Sequence, residues 1–194
     1  NYTAQLIYPM MQAWDPFYFK ADILQLGMDQ RHATMLSREL AHSLGQSARV
    51  CVHHHLLAGL QGARGRMGAP EDKMSKSKPA TAVFIHDERK DIEDKINKAF
   101  CPEKMVEGNP VLEIWKYIIM RKFDSRVIDR PMKFGGDIEI HKYEELENAF
   151  ASGALHPADL KKGTVDALDE IISPIRKYFE RGKAKMLYEN VRSR

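Results

Sequence analysis

Between Ala21 and His53 two short apolar runs flank one amphipathic stretch, and this order limits the folds open to the chain. Ala21-Asp22-Ile23-Leu24-Gln25-Leu26 is an apolar run stopped by Gly27, the pattern of a buried strand entering a turn. From Met28 to Leu44, Met35, Leu36, Leu40 and Leu44 recur at helical spacing with Arg31, Arg38 and Glu39 between them, which predicts an amphipathic helix. Arg49-Val50-Cys51-Val52-His53 reads as a second strand, followed by a glycine-rich loop from Gly59 to Gly68. Strand, helix and strand in this order predict an α/β fold with a parallel sheet, whose ligands sit beyond the carboxyl ends of the strands.

On either side of this unit the pattern is helical. Leu6 to Trp14 reads as an apolar helix, and Asp15-Pro16 can begin a further turn because proline suits the first helical position. Thr81-Ala82-Val83-Phe84-Ile85 looks like a strand, and after Ile85 the character changes. His86-Asp87 can cap a helix running to about Phe100, with Ile92, Ile96 and Phe100 on one face. Further helices are expected at 110–122, 142–151 and 164–180, separated by Gly135-Gly136, Gly153 and Gly163. A boundary is therefore expected near residue 87, dividing a partial α/β domain (1–87) from a helical domain (88–194).

Composition excludes several classes. The 194 residues are 43% hydrophobic and 29% charged, as in a globular protein, and no run reaches the ~18 apolar residues of a membrane helix. The net charge of +3 is too mild to identify a nucleic-acid binder. It is uneven, however: from Arg176 to Arg194 seven basic residues face two acidic ones, a basic end able to meet phosphates. Cys51 and Cys101 form neither a metal-ligand spacing nor a disulfide framework, which suits a reducing cytosol and a cytoplasmic protein. The chain opens on Asn1 within a patterned apolar stretch, so a fragment or processed chain is expected.

The string Lys73-Met74-Ser75-Lys76-Ser77-Lys78 carries the most specific chemistry. Lysines interleaved with hydroxyls on a loop can fold over a triphosphate and offset the charge that builds during nucleotidyl transfer. A solvated basic linker is the plainer alternative for an arbitrary segment with two lysines. Here five residues match KMSKS in order, and the chain resembles the class I aminoacyl-tRNA synthetases, in which that signature serves amino-acid activation. By that resemblance Lys73 and Lys76 are catalytic, and Lys73, Met74, Ser75, Lys76 and Ser77 bind the nucleotide.

A second pair of segments narrows the resemblance. Tyr8-Pro9-Met10-Met11-Gln12-Ala13-Trp14-Asp15, followed by Gly27-Met28-Asp29-Gln30-Arg31, is similar to the amino-acid pocket of archaeal and eukaryotic tyrosyl-tRNA synthetases. The resemblance implies that Tyr8, Gln12 and Gln30 hold the α-amino end of tyrosine and that Asp15 accepts from its phenol, with Asp22 ordering the polar shell. Tyr8, Gln12 and Asp15 stand at i, i+4 and i+7, on one helical face. A core helix whose polar tips reach backbone groups would show the same spacing.

The resemblance extends into the helical half. Lys133-Phe134-Gly135-Gly136-Asp137 and Leu155-His156-Pro157-Ala158-Asp159-Leu160-Lys161 resemble the family's anticodon-binding region. There Phe134 would stack on the first anticodon base and Asp159 would accept from its Watson-Crick edge, a suitable way to read an unpaired base. The residues alone also permit a core aromatic at Phe134 and a helix start at His156–Asp159 capped by its own side chains.

Together these matches imply the C-terminal half of a Rossmann-like catalytic domain followed by an α-helical anticodon-binding domain. The complete family enzyme takes tyrosine, ATP with Mg²⁺, and tRNA(Tyr), forms tyrosyl-adenylate with loss of pyrophosphate, and works as a homodimer. No HxGH-type phosphate-binding string occurs in the chain, so the chain alone is expected to be inactive. Two other readings stay open: a tryptophanyl-tRNA synthetase, and a non-catalytic tRNA-binding paralogue. His53-His54-His55 invites a metal, but neighbours on a strand point to opposite faces and no further ligand set follows at zinc spacing, so no metal site is expected.

Overall fold

The computed structural model describes residues 3–62, 74 and 78–192. They form two compact units, Asn1–Leu56 and Leu57–Arg194. This division falls upstream of the change of character near residue 87 because the segment after Leu56 is built into the second unit. Leu60 is buried in that unit's core, its N–H donates to Thr81 O (2.9 Å), and its carbonyl accepts from Phe100 N–H (2.7 Å).

In the first unit, helix α1 (Thr3–Tyr18) runs unbroken through Pro9 and Pro16, so Asp15-Pro16 continues the helix instead of starting a new turn. Strands β1 (Ile23–Gly27) and β2 (Val50–His54) pair in parallel, with Ile23 opposite Val50 and Gly27 opposite His54. Their alternation puts Leu24, Leu26, Cys51 and His53 on a half-buried face and Ile23, Val50 and Val52 on an exposed one. The crossover is α2 (Arg31–Leu40), flanked by 3₁₀ turns at Met28–Gln30 and His42–Leu44.

One expectation is reversed in α2. The helix buries Thr34 and Ser37 and leaves Leu36 and Leu40 exposed, as is Leu44 in the 3₁₀ turn that follows. The small polar side chain of Thr34 admits close approach to β2: its Oγ lies 2.8 Å from His53 Nε2 and donates back to Arg31 O (3.0 Å).

In the second unit, α3 (Arg89–Lys98) is capped by Glu88, not by His86-Asp87. Glu88 and Asp91 form a reciprocal capping box, with Glu88 N–H donating to the Asp91 carboxylate (3.1 Å). Asp87 has another task. Its carboxylate accepts from Phe84 N–H (2.8 Å) and pairs with Lys95 (2.5 Å), closing a turn where the sequence suggested a strand. Thr81–Ile85 therefore joins no sheet: Pro79–Thr81 is a 3₁₀ turn, and the residues after it lead into the Asp87 turn.

Helix α4 (Pro110–Ile114) passes through a π-helical turn (Trp115–Ile119) into α5 (Met120–Lys122). A short antiparallel pair follows, β3 (Arg126–Ile128) with β4 (Ile138–Ile140), then α6 (Tyr143–Ser152), α7 (Pro157–Phe179) and α8 (Gly182–Arg192). Helix α7 starts seven residues before the expected 164, and Gly163 lies inside it instead of breaking it. A Cβ at Gly163 would stand 3.1 Å from Ile128 Cγ1 and 3.5 Å from Trp115 Cζ2, so glycine is what lets the helix close on β3 and the indole.

Trp115 is fully buried in the core of this unit, a cluster that also holds Ile92, Ile96, Phe150 and Leu168. Its Nε1–H donates to Thr164 Oγ (2.7 Å), and that hydroxyl donates on to Leu160 O (2.7 Å), so the buried polar atoms are paired. At the surface of α7, Arg176 donates to Asp87 O (2.5 Å) and pairs with Asp169 (2.5 Å). Partial burial works against the Asp169 charge, but hydrogen bonds and charge from Arg176 and Arg89 outweigh it and hold its carboxyl below the usual range.

Candidate functional site

The first cluster lies in the 1–56 unit. Tyr8, Gln12 and Asp15 share α1, and the Gln12 side-chain amide donates to the Gln30 side-chain carbonyl. The predicted pair Gln12 and Gln30 is thus brought together, across 18 residues of sequence. Tyr8 and Asp15 are exposed, Tyr8 at 64%, and neither joins that pair. Asp22 forms a 3.7 Å ion pair with Arg49, whose guanidinium also lies over the Phe17 ring (5.6 Å). In the histidine triplet, His53 turns to Thr34. Among the described residues no group of three or more His, Cys, Asp or Glu side chains is placed to hold a metal ion.

The second cluster is the phosphate-loop string. Lys73, Ser75, Lys76 and Ser77 lie outside the described residues. Met74 is described: its N–H donates to Leu57 O (3.2 Å), and its side chain packs, half buried, against the core of the helical unit. Downstream, Thr81 donates to Lys78 O through both N–H (2.9 Å) and Oγ (2.7 Å). Met74 is therefore held by backbone and core.

The third cluster is a cleft of about 520 Å³ that brings Phe134 and Asp159 together, lined also by Arg130, Gly153, Ala154, His156 and Ala158. Phe134 ends a 3₁₀ turn (Met132–Phe134), after which Gly135 (φ 99°) and Gly136 (φ 72°) take left-handed conformations that side-chain-bearing residues avoid. The ring is 59% exposed, and Lys133 Nζ sits 4.9 Å from its centroid. Asp159 lies in the first turn of α7, where a carboxylate is favoured by the helix dipole. Pro157 occupies the first helical position and His156 is the cap: its Nδ1 accepts from Ala158 N–H (3.1 Å), while Nε2 lies 3.2 Å from the Glu103 carboxylate. An exposed aromatic face beside a carboxylate acceptor can stack and hydrogen-bond a flat heterocycle that carries donors on its edge.

Arg130 was not singled out by the sequence, whereas His156 takes the capping role that the self-capped helix start at His156–Asp159 allowed. Arg130 acts on backbone groups, which leave no side-chain motif; the only signal was its closeness to Gly135-Gly136. A larger cleft of about 820 Å³ lies between Phe84, His86, Arg176, Phe179 and Tyr188, and contains none of the predicted site residues.

Residues 2–173 match the family described as tRNA synthetases class I (W and Y). A tyrosine–tRNA ligase of Saccharolobus islandicus is 48% identical over 189 residues, covering 92% of this chain and 52% of that protein. Another, from Aeropyrum pernix, is 50% identical over 185 residues, covering 90% and 50%. Among solved structures, the tyrosyl-tRNA synthetase of Pyrococcus horikoshii complexed with L-tyrosine superposes with a TM-score of 0.82 at 44% identity, covering 93% of this chain and 54% of that one. The chain thus spans about half the length of the curated relatives it matches.

Proposed function

The chain belongs to the class I tRNA synthetases (W and Y), and from that premise we propose that it serves in a tyrosine–tRNA ligase. The observation that carries the choice of tyrosine is the near-half identity to tyrosine–tRNA ligases along almost the whole chain. The substrates are tyrosine, ATP entering as its Mg²⁺ complex, and tRNA(Tyr), in a cytoplasmic homodimer.

Tyr8, Gln12 and Gln30 take the α-amino end of tyrosine, and Asp15 accepts from the phenol. The mutual bond of Gln12 and Gln30 supports this reading, since two amides already in register present one donor-acceptor surface. Tyrosine's carboxylate oxygen attacks the α-phosphorus of ATP and pyrophosphate leaves; Lys73 and Lys76 meet the negative charge that grows on the transferring and leaving phosphates. The adenylate then passes its tyrosyl group to the terminal ribose of tRNA.

Phe134 and Asp159 read the first anticodon base in the 520 Å³ cleft. Lys133, whose Nζ sits 4.9 Å from the ring centroid, adds a cation beside the stacking ring. Phe134→Ala and Asp159→Ala in the complete enzyme are expected to cut kcat/KM for tRNA charging by about tenfold to a hundredfold, the value of one stacked base or one charged hydrogen bond. Tyrosine-dependent pyrophosphate exchange, which needs no tRNA, stays at the parent rate. Parallel assays of charging and exchange make the test; equal charging by parent and variants would remove the anticodon role from this cleft.

A further inference from the structure

The two walls of the cleft belong to different segments, and nothing in the chain's covalent order fixes their distance. One wall is the turn Pro131–Gly136, which carries Phe134. The other is the turn Gly153–Ala154, which leads through His156 to Asp159. Arg130 touches both. Its Nε–H donates to Gly136 O (2.9 Å), and its Nη1–H donates to Ala154 O (2.6 Å). Its own N–H donates to the Asp137 carboxylate (2.9 Å), which closes the first turn on itself. The side chain is half buried and lines the cleft.

We propose that Arg130 is the positioning residue that sets the separation of Phe134 and Asp159, and that discrimination of the first anticodon base depends on this brace; the inference rests on the anticodon reading of the cleft given above. Only a guanidinium offers donors in a rigid planar fork, so one side chain reaches carbonyls of two loops with little freedom left over. Stacking and edge recognition of one base need their two groups held to within a fraction of an ångström of the productive spacing. With Arg130 removed, each wall keeps its own turn, but the link between them is lost. The cleft then still admits a base, while the wrong base is rejected less well.

The test compares Arg130→Met and Arg130→Lys with Asp159→Ala in the complete enzyme, charging parent tRNA and a tRNA changed at the first anticodon base. Both Arg130 variants are expected to lower the discrimination ratio by roughly tenfold or more, the scale of two lost charged hydrogen bonds. They leave tyrosine-dependent exchange at the parent rate, and adding Arg130→Met to Asp159→Ala lowers the ratio no further. A variant that merely destabilised the fold would slow exchange and charging of both tRNAs together. Full rescue by Arg130→Lys would overturn the brace, because charge alone would then suffice. So would a strictly additive double variant, or an unchanged ratio in Arg130→Met beside a collapsed one in Asp159→Ala. An unchanged ratio in Asp159→Ala itself would instead refute the anticodon reading, and the brace with it.

Discussion

Lys73→Ala or Lys76→Ala is expected to slow tyrosyl-adenylate formation in the complete enzyme by about 10²–10³-fold, the usual consequence of removing one preorganised donor from developing charge. On the proposed reading tyrosine binding should hardly change, because lysines that serve the phosphates meet charge that grows only on the way to the transition state. Single-turnover adenylate formation and equilibrium tyrosine binding, measured on the same preparations, separate the two effects. The anchoring of Met74 sharpens the expectation. Its N–H is tied to Leu57 O and its side chain to the core, so the string is tethered at its second residue whichever lysine is replaced. Equal losses of binding and of rate would mean that the lysines hold the fold, not the phosphates.

The second large effect belongs to the core. Trp115→Ala removes a fully buried indole packed against Gly163 in α7, and is expected to cost ~3–5 kcal/mol of stability, the range for buried tryptophan or phenylalanine truncation. It also leaves the Thr164 hydroxyl without its indole donor. Since whole domains are stable by only about 5–15 kcal/mol, the helical unit of this variant should unfold at markedly lower urea concentration. Urea unfolding followed by circular dichroism at helix wavelengths gives the answer. A midpoint within error of the parent would show that Gly163 and Trp115 do not form the contact on which the unit closes.

Much of this architecture was legible because burial imposes a period. Leu24 and Leu26 against Cys51 and His53 alternate as one face of a parallel pair, and Ile92 and Ile96 repeat as the buried side of α3. Legibility failed where a contact replaced a period. Strands β3 and β4 are three residues each, too short to show alternation. Gly163 looked like a break because glycine weakens an isolated helix by about 1 kcal/mol, yet here its missing side chain is what the packing requires. In α2 the leucines suggested the inward face, whereas Thr34 and Ser37 occupy it, because contact with His53 favours a small hydroxyl.

The candidate sites divide in the same way. Gln12, Gln30, Phe134 and Asp159 were pointed to by the resemblance of their segments to a known family, since residue type and spacing alone equally permitted a core helix and a core aromatic. The structure bonds the first two to each other and lines one cleft with the other two. Arg130 was not pointed to, because it acts through the carbonyls of Gly136 and Ala154, and a backbone carbonyl is the same at every position.

The central claim is that this chain serves tyrosine activation, and amino-acid-dependent exchange of labelled pyrophosphate into ATP tests it most directly. Assayed with the complete protein, exchange is expected with tyrosine and absent with tryptophan, phenylalanine or no amino acid. Exchange driven by tryptophan, or none with tyrosine under conditions where the protein is folded, would contradict the account.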